Sequence, residues 1–273
     1  MSKTLAQLRT FTRALLSEPT AKYWTDAELN TYINDGQNLF CDLTDCLSDI
    51  STASSVQYQS DYDCPTDYTK LQRVEFVKGN SVYDVTPATL SEQYTGTTRN
   101  SMSQPFRVNL VGDTLRFDSR PSSAAASTTL DGTITAAATT LDLTSVSGFP
   151  REGRLIIGSE VIEYWNISST TLSPCTRGVE GTTAAVHTDL DAVTLRDIYI
   201  YHNKRAATLS SDSDTTQLPA QFENASAHYA AYIGRLKSKD YDLANNQKMT
   251  FDEFVMRGLS WAKMRVKRSW RPR

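Results

Sequence analysis

Apolar positions recur at helical spacing near both ends of the chain and alternate with polar positions in its middle. The helical spacing predicts four helices, at residues 4–17, 25–45, 219–238 and 241–266. The alternating runs are short and bounded by turn residues, which is typical of antiparallel strands. The pattern therefore predicts an α+β fold, in which a helical bundle built from the N- and C-terminal helices accompanies an antiparallel β-sheet.

The second predicted helix has the clearest start signal in the chain. Thr25 follows Trp24 and is a good N-cap residue, and Glu28 stands three residues later, where a capping box places a carboxylate. One apolar face is then expected to comprise Leu29, Ile33, Leu39, Phe40 and Leu43.

The third predicted helix is expected to begin at Pro219, because proline is tolerated in the first turn of a helix. Its apolar residues at helical spacing are expected to form the buried face. They are Phe222, Ala225, Tyr229, Ile233 and Leu236.

Three hairpins are predicted in the middle of the chain, at residues 72–85, 106–117 and 154–164. In each of them, a glycine-containing turn joins two runs of alternating polarity. Residues 48–67 are predicted to be loop with a strand at 56–58, and residues 88–103 are predicted to contain a short helix.

A composition shift at Pro121 predicts an inserted domain. Residues 122–129 are small and uncharged, as in a linker, and residues 128–193 contain short strands typical of a small β barrel or sandwich. The strand at 195–201 is expected to pair with the strand at 115–117 on the other side of the insertion. The sequence thus predicts one domain from residues 1–121 and 194–273, with an inserted β domain at 128–193.

Charge and composition exclude several classes of protein. The chain has 273 residues, a formal net charge of -3 and a pI near 5.7, which argues against a protein that coats nucleic acid with its whole surface. No apolar run approaches the ~20 residues that a membrane span needs. Nothing resembles a signal peptide, so a cytoplasmically made protein is expected. The four cysteines and three histidines lack metal-ligand spacing, and neither a metal nor another cofactor is predicted.

No catalytic motif is present: the sequence has no Walker loop, no GxSxG, no HExxH and no GxGxxG after a strand. No catalytic residue is assigned, and the protein is not expected to be an enzyme. Arg177 and His187 lie near Gly178 and Gly181 and could suggest a site. We interpret this group as part of the tight turns of a β domain.

The strongest functional feature is a basic segment, residues 263–273, which contains no acidic residue. It could be a nucleic-acid arm, a docking peptide that enters a groove on an acidic partner with Trp270 as anchor, or a solvated end without a partner. Trp261, just before the segment, is a further aromatic residue that could stack on bases. The charged residues of the segment are Lys263, Arg265, Lys267, Arg268, Arg271 and Arg273.

The order of these features resembles the head–tail adaptor (head completion, or connector) proteins of tailed bacteriophages. The resemblance covers about residues 1–120 and 195–273 and rests on the following segments: Trp24-Thr25-Asp26-Ala27-Glu28-Leu29, Cys64-Pro65-Thr66-Asp67-Tyr68, Asp113-Thr114-Leu115-Arg116-Phe117 and Leu218-Pro219-Ala220-Gln221-Phe222. The insertion resembles a small β domain of phage structural proteins through Arg177-Gly178-Val179-Glu180-Gly181-Thr182 and His187. That pattern has a glycine shortly after the histidine, where this chain has Leu190-Asp191, which leaves the shape of the last turn open.

The resemblance implies a virion structural protein in the neck, at the portal vertex, that is present in the host cytoplasm during assembly. Such adaptors form a ring, usually a dodecamer, under the portal protein, extend the DNA channel and give a downstream neck or tail protein its attachment surface. In many of them the C-terminal segment reaches the portal, which agrees with the docking interpretation of residues 263–273. A nucleic-acid-binding structural protein or a tail component stays open as the alternative.

Overall fold

Four helices are present in a computed structural model that describes residues 2–87, 102, 103, 105 and 107–266, with the backbone alone for residues 263–266. They are α1 (Leu5–Leu16), α2 (Asp26–Thr44), α3 (Asn224–Lys237) and α4 (Tyr241–Val266). Strands occupy the chain between α2 and α3, and the mixed α+β class is confirmed. The short helix predicted at residues 88–103 falls mostly outside the described residues.

Capping boxes begin both N-terminal helices. The Thr25 hydroxyl accepts a hydrogen bond from the Glu28 amide at 3.2 Å, and the Glu28 carboxylate accepts one from the Thr25 amide at 3.1 Å. Thr4 and Gln7 repeat this arrangement at the start of α1. In α2 the predicted apolar face is wrong at Leu43, which is 47% exposed, because the helix turns its small and polar residues inward near its end.

Helix α3 begins five residues later than predicted. The Phe222 amide donates to the Pro219 carbonyl at 2.7 Å, so Pro219 opens a turn that precedes the helix rather than the helix itself. The predicted buried face is correct at Phe222 and Ala225 but wrong at Tyr229, Ile233 and Leu236, which are only half-buried. The rest of the buried face consists of small residues that were not predicted: Ser226, Ala227, Ala230, Ala231 and Gly234.

The small face of α3 lets the other helices approach it closely. Helices α1, α2 and α4 all pack against α3. A Cβ atom added at Gly36 of α2 would lie 2.9 Å from the Ser226 carbonyl oxygen, and one added at Gly234 would lie 3.0 Å from the Leu16 side chain. Glycine at these positions allows a helix spacing that a larger residue would prevent.

The chain divides into two units. The helical unit comprises Met1–Asp49, Asp67–Lys70 and Asn203–Arg273, and the β unit comprises Ile50–Thr66 and Leu71–His202. The sequence predicts a different division, into one domain formed by residues 1–121 and 194–273 and an inserted domain at 128–193. That division stays a prediction.

A seven-stranded mixed sheet has the strand order β1-β15-β3-β4-β5-β6-β2. Two predicted hairpins belong to it, one formed by β3 and β4 and the other by β5 and β6. Its strands are β1 (Ser48–Ala53), β2 (Asp61–Asp63), β3 (Tyr68–Lys78), β4 (Ser81–Pro87), β5 (Arg107–Val111), β6 (Thr114–Phe117) and β15 (Ile198–Lys204).

The remaining strands form a five-stranded sheet, β13-β10-β9-β14-β7, and a three-stranded sheet, β11-β12-β8. The predicted hairpin at 154–164 is β9 and β10, and the predicted linker contains β7. The strands are β7 (Ser127–Thr129), β8 (Leu141–Asp142), β9 (Gly153–Ile157), β10 (Glu160–Tyr164), β11 (Ile167–Ser168), β12 (Thr171–Leu172), β13 (Cys175–Val179) and β14 (Ala192–Arg196). They share one apolar core, centred on buried Leu130, Leu143, Leu155, Ile162 and Tyr164.

Two strand predictions are wrong. Residues 57–58 form a turn, and the strands of that region are β1 and β2, whose polar residues give no alternating pattern. The predicted pairing between residues 195–201 and 115–117 is absent, because β6 already has β5 and β2 as neighbours. The 195–201 run instead breaks at Asp197, where β14 of one sheet ends and β15 of the other begins.

Candidate functional site

The basic segment follows directly from a helix that is anchored in the helical unit. Phe251 and Val255 of α4 are buried in a cluster with Phe40 and Phe222. A Cβ atom added at Gly258 would lie 2.8 Å from the Phe40 ring, so α4 and α2 touch at this point. The helical backbone continues through Val266 and thus includes the first part of the segment.

The charged side chains of the basic segment have no described position. For Lys263 and Arg265 the structure describes only helical backbone. The other predicted docking residues, Lys267, Arg268, Trp270, Arg271 and Arg273, lie outside the described residues.

Trp261 packs against the helical unit, which does not favour the base-stacking role considered for it. It is half-buried, and its ring meets that of Phe222 edge to face, with the centroids 5.8 Å apart. Its role in the structure is to fix the C-terminal half of α4 to the core.

The predicted structural residues Trp24, Thr25 and Glu28 lie at the α1–α2 connection. Trp24 is buried, and its Nε1 donates to the Gly234 carbonyl at 3.1 Å, which ties the connection to α3. Glu28 accepts a hydrogen bond from Lys237 Nζ at 2.6 Å, and this contact together with that of the Thr25 amide lowers the pKa of Glu28. The three residues therefore hold helices together.

A buried carboxylate organises the turns around Arg177 and His187. Both Glu160 oxygens accept hydrogen bonds from the Arg177 guanidinium at 2.7 Å, and His187 Nε2 lies 2.8 Å from Glu160 Oε2. The amides of Gly178 and Ala185 also donate to Glu160, at 3.1 and 3.0 Å. Burial by itself would raise the pKa of Glu160, but these hydrogen bonds and the Arg177 charge lower it to about 2.

The Glu160 cluster has the geometry of a structural ion pair. The side chains of Glu160, Arg177 and His187 are 1, 7 and 9% exposed, and the carboxylate is bound by both of its partners. Arg177 also donates to the carbonyls of Thr135 and Ala185, and it thereby joins the two loops that flank it. The cluster fixes loops in place, as the tight-turn interpretation requires.

A second polar cluster in the β unit surrounds Thr52 of β1. The Glu180 carboxylate accepts hydrogen bonds from the Thr52 amide at 2.9 Å and from its hydroxyl at 2.5 Å. Arg196 donates to the Thr52 hydroxyl and carbonyl, and Arg154 bridges Glu180, at 3.1 Å, to the Ile50 carbonyl. One strand of the seven-stranded sheet is thus bound by three charged side chains from the 154–196 region.

Asp197 adds a buried carboxylate beside this cluster. It is 4% exposed and accepts hydrogen bonds from the Ser55 amide at 2.6 Å and the Ser55 hydroxyl at 2.5 Å. Burial raises the pKa of Asp197 to about 6, although Ser55 and the charge of Arg196 favour its ionised form. The carboxylate links the chain between β14 and β15 to the end of β1.

Sequence reasoning missed the Thr52 and Asp197 clusters, because their hydrogen-bonded partners are up to 144 residues apart and follow no short motif. Of these residues, only Glu180 lies in a segment that carries the resemblance to phage structural proteins, the run Arg177–Thr182. Leu190, where the resembled pattern departs, has a φ of 67°, the left-handed conformation that glycine adopts without strain, and it is 66% exposed.

The described part of the chain has neither a metal-binding cluster nor a membrane-spanning helix. No group of three or more histidine, cysteine, aspartate or glutamate side chains there could hold a metal ion. None of the helices described is both long and apolar enough to cross a bilayer.

These clusters define an α+β protein whose charged groups serve to fix its own loops and strands, as in a structural component. The model of the SU10 adaptor protein family matches residues 3–273. The chain therefore belongs to the SU10 adaptor protein family, a family of phage structural adaptors, and is a virion component. No curated protein matches the chain.

Proposed function

We propose that this protein is the head–tail connector adaptor of a tailed phage, which docks on the portal protein through residues 263–273. The observation that carries the proposal is the family match over nearly the whole chain, which includes the basic segment. The docking role itself comes from the resemblance described above, together with the charge of the segment.

The charge distribution supports a specialised segment. Residues 263–273 carry six positive charges and no acid, whereas the whole chain carries -3, so residues 1–262 carry -9. A basic peptide on an otherwise acidic protein favours an acidic partner surface, and arginine can bind carboxylates there through two parallel hydrogen bonds. Trp270 would supply the apolar anchor of such a contact.

The anchored position of α4 supports the same role. Its buried contacts with α2 and α3 hold the helix up to residue 262, so the segment leaves the protein from a fixed point. A peptide that starts from a fixed point loses less conformational freedom on docking than one on a mobile linker.

The proposal includes a closed ring, in which one surface of each copy contacts a different surface of the next. A dodecamer is the expected size. The ring would extend the DNA channel below the portal and offer a surface to a downstream neck or tail protein. An acidic body suits such a channel, because DNA must pass without binding. We further propose that residues 128–193 project outward from the ring.

The test is portal binding by variants of the basic segment. Deleting residues 267–273 should abolish binding to purified portal rings in a sedimentation assay, while circular dichroism stays unchanged. The double variant Arg268→Gln/Arg271→Gln should bind at least tenfold more weakly. Lys22→Gln/Lys239→Gln, which removes two exposed positive charges elsewhere, is the matched control and should bind normally.

Undiminished portal binding by the deletion variant would refute the docking role of the segment. Binding of DNA that falls steeply with salt concentration and disappears with the deletion would support the nucleic-acid alternative instead. A third arm separates the adaptor from a tail component: antibody-gold should label one vertex of tail-less heads, whereas label along tails would refute the neck position.

A further inference from the structure

Two cysteines lie in contact at the end of α2. Cys41 is in the last turn of the helix, and Cys46 follows the Asp45 residue that ends it in the left-handed conformation. Their sulfur atoms are 3.9 Å apart, and the residues are only 2 and 3% exposed. A disulfide has an S–S distance near 2.05 Å, so closure requires each sulfur to move by about 1 Å.

The contact also has an ordinary packing role. An apolar contact between a residue just beyond a left-handed helix end and one in the last turn commonly accompanies such an end, and both cysteines belong to the cluster around Phe40. Other small apolar side chains could make this packing contact, so packing by itself does not explain cysteine at both positions 41 and 46.

The two thiols differ in acidity. The hydrogen bond between the two sulfur atoms lowers the pKa of Cys46 against the opposing effect of burial, with a smaller contribution from Thr44. The same hydrogen bond and burial raise the pKa of Cys41. Because the thiolate is the reactive form, Cys46 is the first nucleophile of the pair.

We propose that Cys41 and Cys46 form a peroxide-responsive dithiol that closes to an intramolecular disulfide. The Cys46 sulfur attacks a hydrogen peroxide oxygen, the O–O bond breaks, and a sulfenic acid and one water form. The Cys41 sulfur then attacks the sulfenic sulfur, the S–O bond breaks, and a second water leaves with the remaining thiol proton. Two thiols are oxidised, and one peroxide is reduced to two waters.

This chemistry suits a virion component, which leaves the reducing cytoplasm of its host when the cell lyses. An unpaired buried thiol that is oxidised continues to sulfinic and sulfonic acids, whose charge would disrupt the core around Phe40. A neighbouring thiol converts the first oxidation product into a neutral cross-link. The inference depends on the virion assignment alone and not on portal docking.

The chain itself permits direct mapping of the cross-link. The purified full-length protein is exposed to hydrogen peroxide in its native state, alkylated in denaturant, and cleaved before aspartate residues. Cleavage before Asp42 and Asp45 places the two cysteines on separate peptides, residues 35–41 and 45–48, while Cys64 falls on 63–66. We expect 35–41 and 45–48 to be recovered as one species joined by a disulfide, and as two after dithiothreitol.

Thiol counting provides the control. In a Cys64→Ser/Cys175→Ser background, two alkylatable thiols should fall to none with peroxide and return with reductant. When Cys46→Ser is added to this background, peroxide should cause no loss of the alkylatable Cys41 thiol that reductant reverses. The proposal is overturned if both thiols stay alkylatable, if their loss is irreversible, or if the linked peptides come from two different chains. Peptide mapping of the peroxide-treated protein without substitutions tests the Cys41–Cys46 disulfide even if a serine variant fails to fold.

Discussion

Replacement of Glu160 by glutamine should destabilise the five-stranded sheet. Glutamine keeps the size of the side chain but replaces one acceptor oxygen with an amide, which would face the donors of Arg177 or His187. It also leaves the Arg177 guanidinium, only 7% exposed, without its counter-ion. Removing one partner of a buried ion pair typically costs 3–5 kcal/mol.

The pKa of Glu160 gives a consistent magnitude. A fall from the ordinary 4.5 to about 2 corresponds to about 3 kcal/mol of stability, at 1.36 kcal/mol for each unit. Because the pKa of the folded state lies below that of the unfolded chain, this stability is present above about pH 4.5. It is lost as the pH falls from there toward 2.

Amide hydrogen exchange, read for peptides of β9 and β10, measures the effect locally. Glu160→Gln should accelerate exchange there about a hundredfold at neutral pH, which is the equivalent of about 3 kcal/mol. The unchanged protein should lose protection of these amides between pH 4.5 and 3, once rates are corrected for the intrinsic pH dependence of exchange, and this loss should be smaller in the variant. Glu152→Gln, at an exposed position before β9, is the matched control. Acceleration of less than tenfold, or an unchanged acid dependence, would refute the ion-pair reasoning.

Three further predictions concern other elements. Thr25→Ala should lower the free energy of unfolding of the helical unit by about 1 kcal/mol in urea titrations, whereas Thr31→Ala, exposed in the same helix, should have less effect. Gly36→Ala should cost about 1–3 kcal/mol and lower the thermal midpoint, since its Cβ would lie 2.9 Å from the Ser226 carbonyl; a stabilised variant would contradict the close packing. Asp197, with a pKa raised to about 6, should favour the folded state fully below about pH 4, and this contribution should be lost as the pH rises through 6. Asp197→Asn should remove that pH dependence, while Asp131→Asn, an exposed control, should retain it.

The hairpins could be predicted from the sequence because the information that specifies them is local. In β9 and β10, alternation and the Gly158 turn lie within twelve residues, and the observed pairing has Glu160 opposite Ile157. The start of α2 was similarly readable from its capping residues, Thr25 and Glu28. By contrast, β1 is a strand because of what lies beside it, and its Ser and Thr residues carry no pattern of their own.

The interior of the helical unit and the polar clusters could not be predicted for a related reason. Of the small residues on α3, only Ala225 was predicted to be buried, but the close approach of Gly36 and Leu16 buries Ser226 and Gly234 as well. The strand pattern around Glu160 gives no sign of its partners Arg177 and His187, which lie 17 and 27 residues later in the sequence. Of the predicted docking residues, the structure describes only the backbone of Lys263 and Arg265, and the basic segment remains a prediction from charge and resemblance.

The position of β1 has a consequence for how the chain folds. Its neighbour in the sheet is β15, and its Thr52 is held by Glu180 and Arg196, which lie 128 and 144 residues later in the sequence. At 5–20 residues per second, a ribosome needs about seven to thirty seconds to make the intervening chain. During that time β1 lacks both its neighbouring strand, β15, and the Glu180 and Arg196 side chains that hydrogen-bond to Thr52. Nascent chains arrested before residue 196 should therefore expose an unpaired strand, and synthesis in the host would favour chaperone binding at this stage.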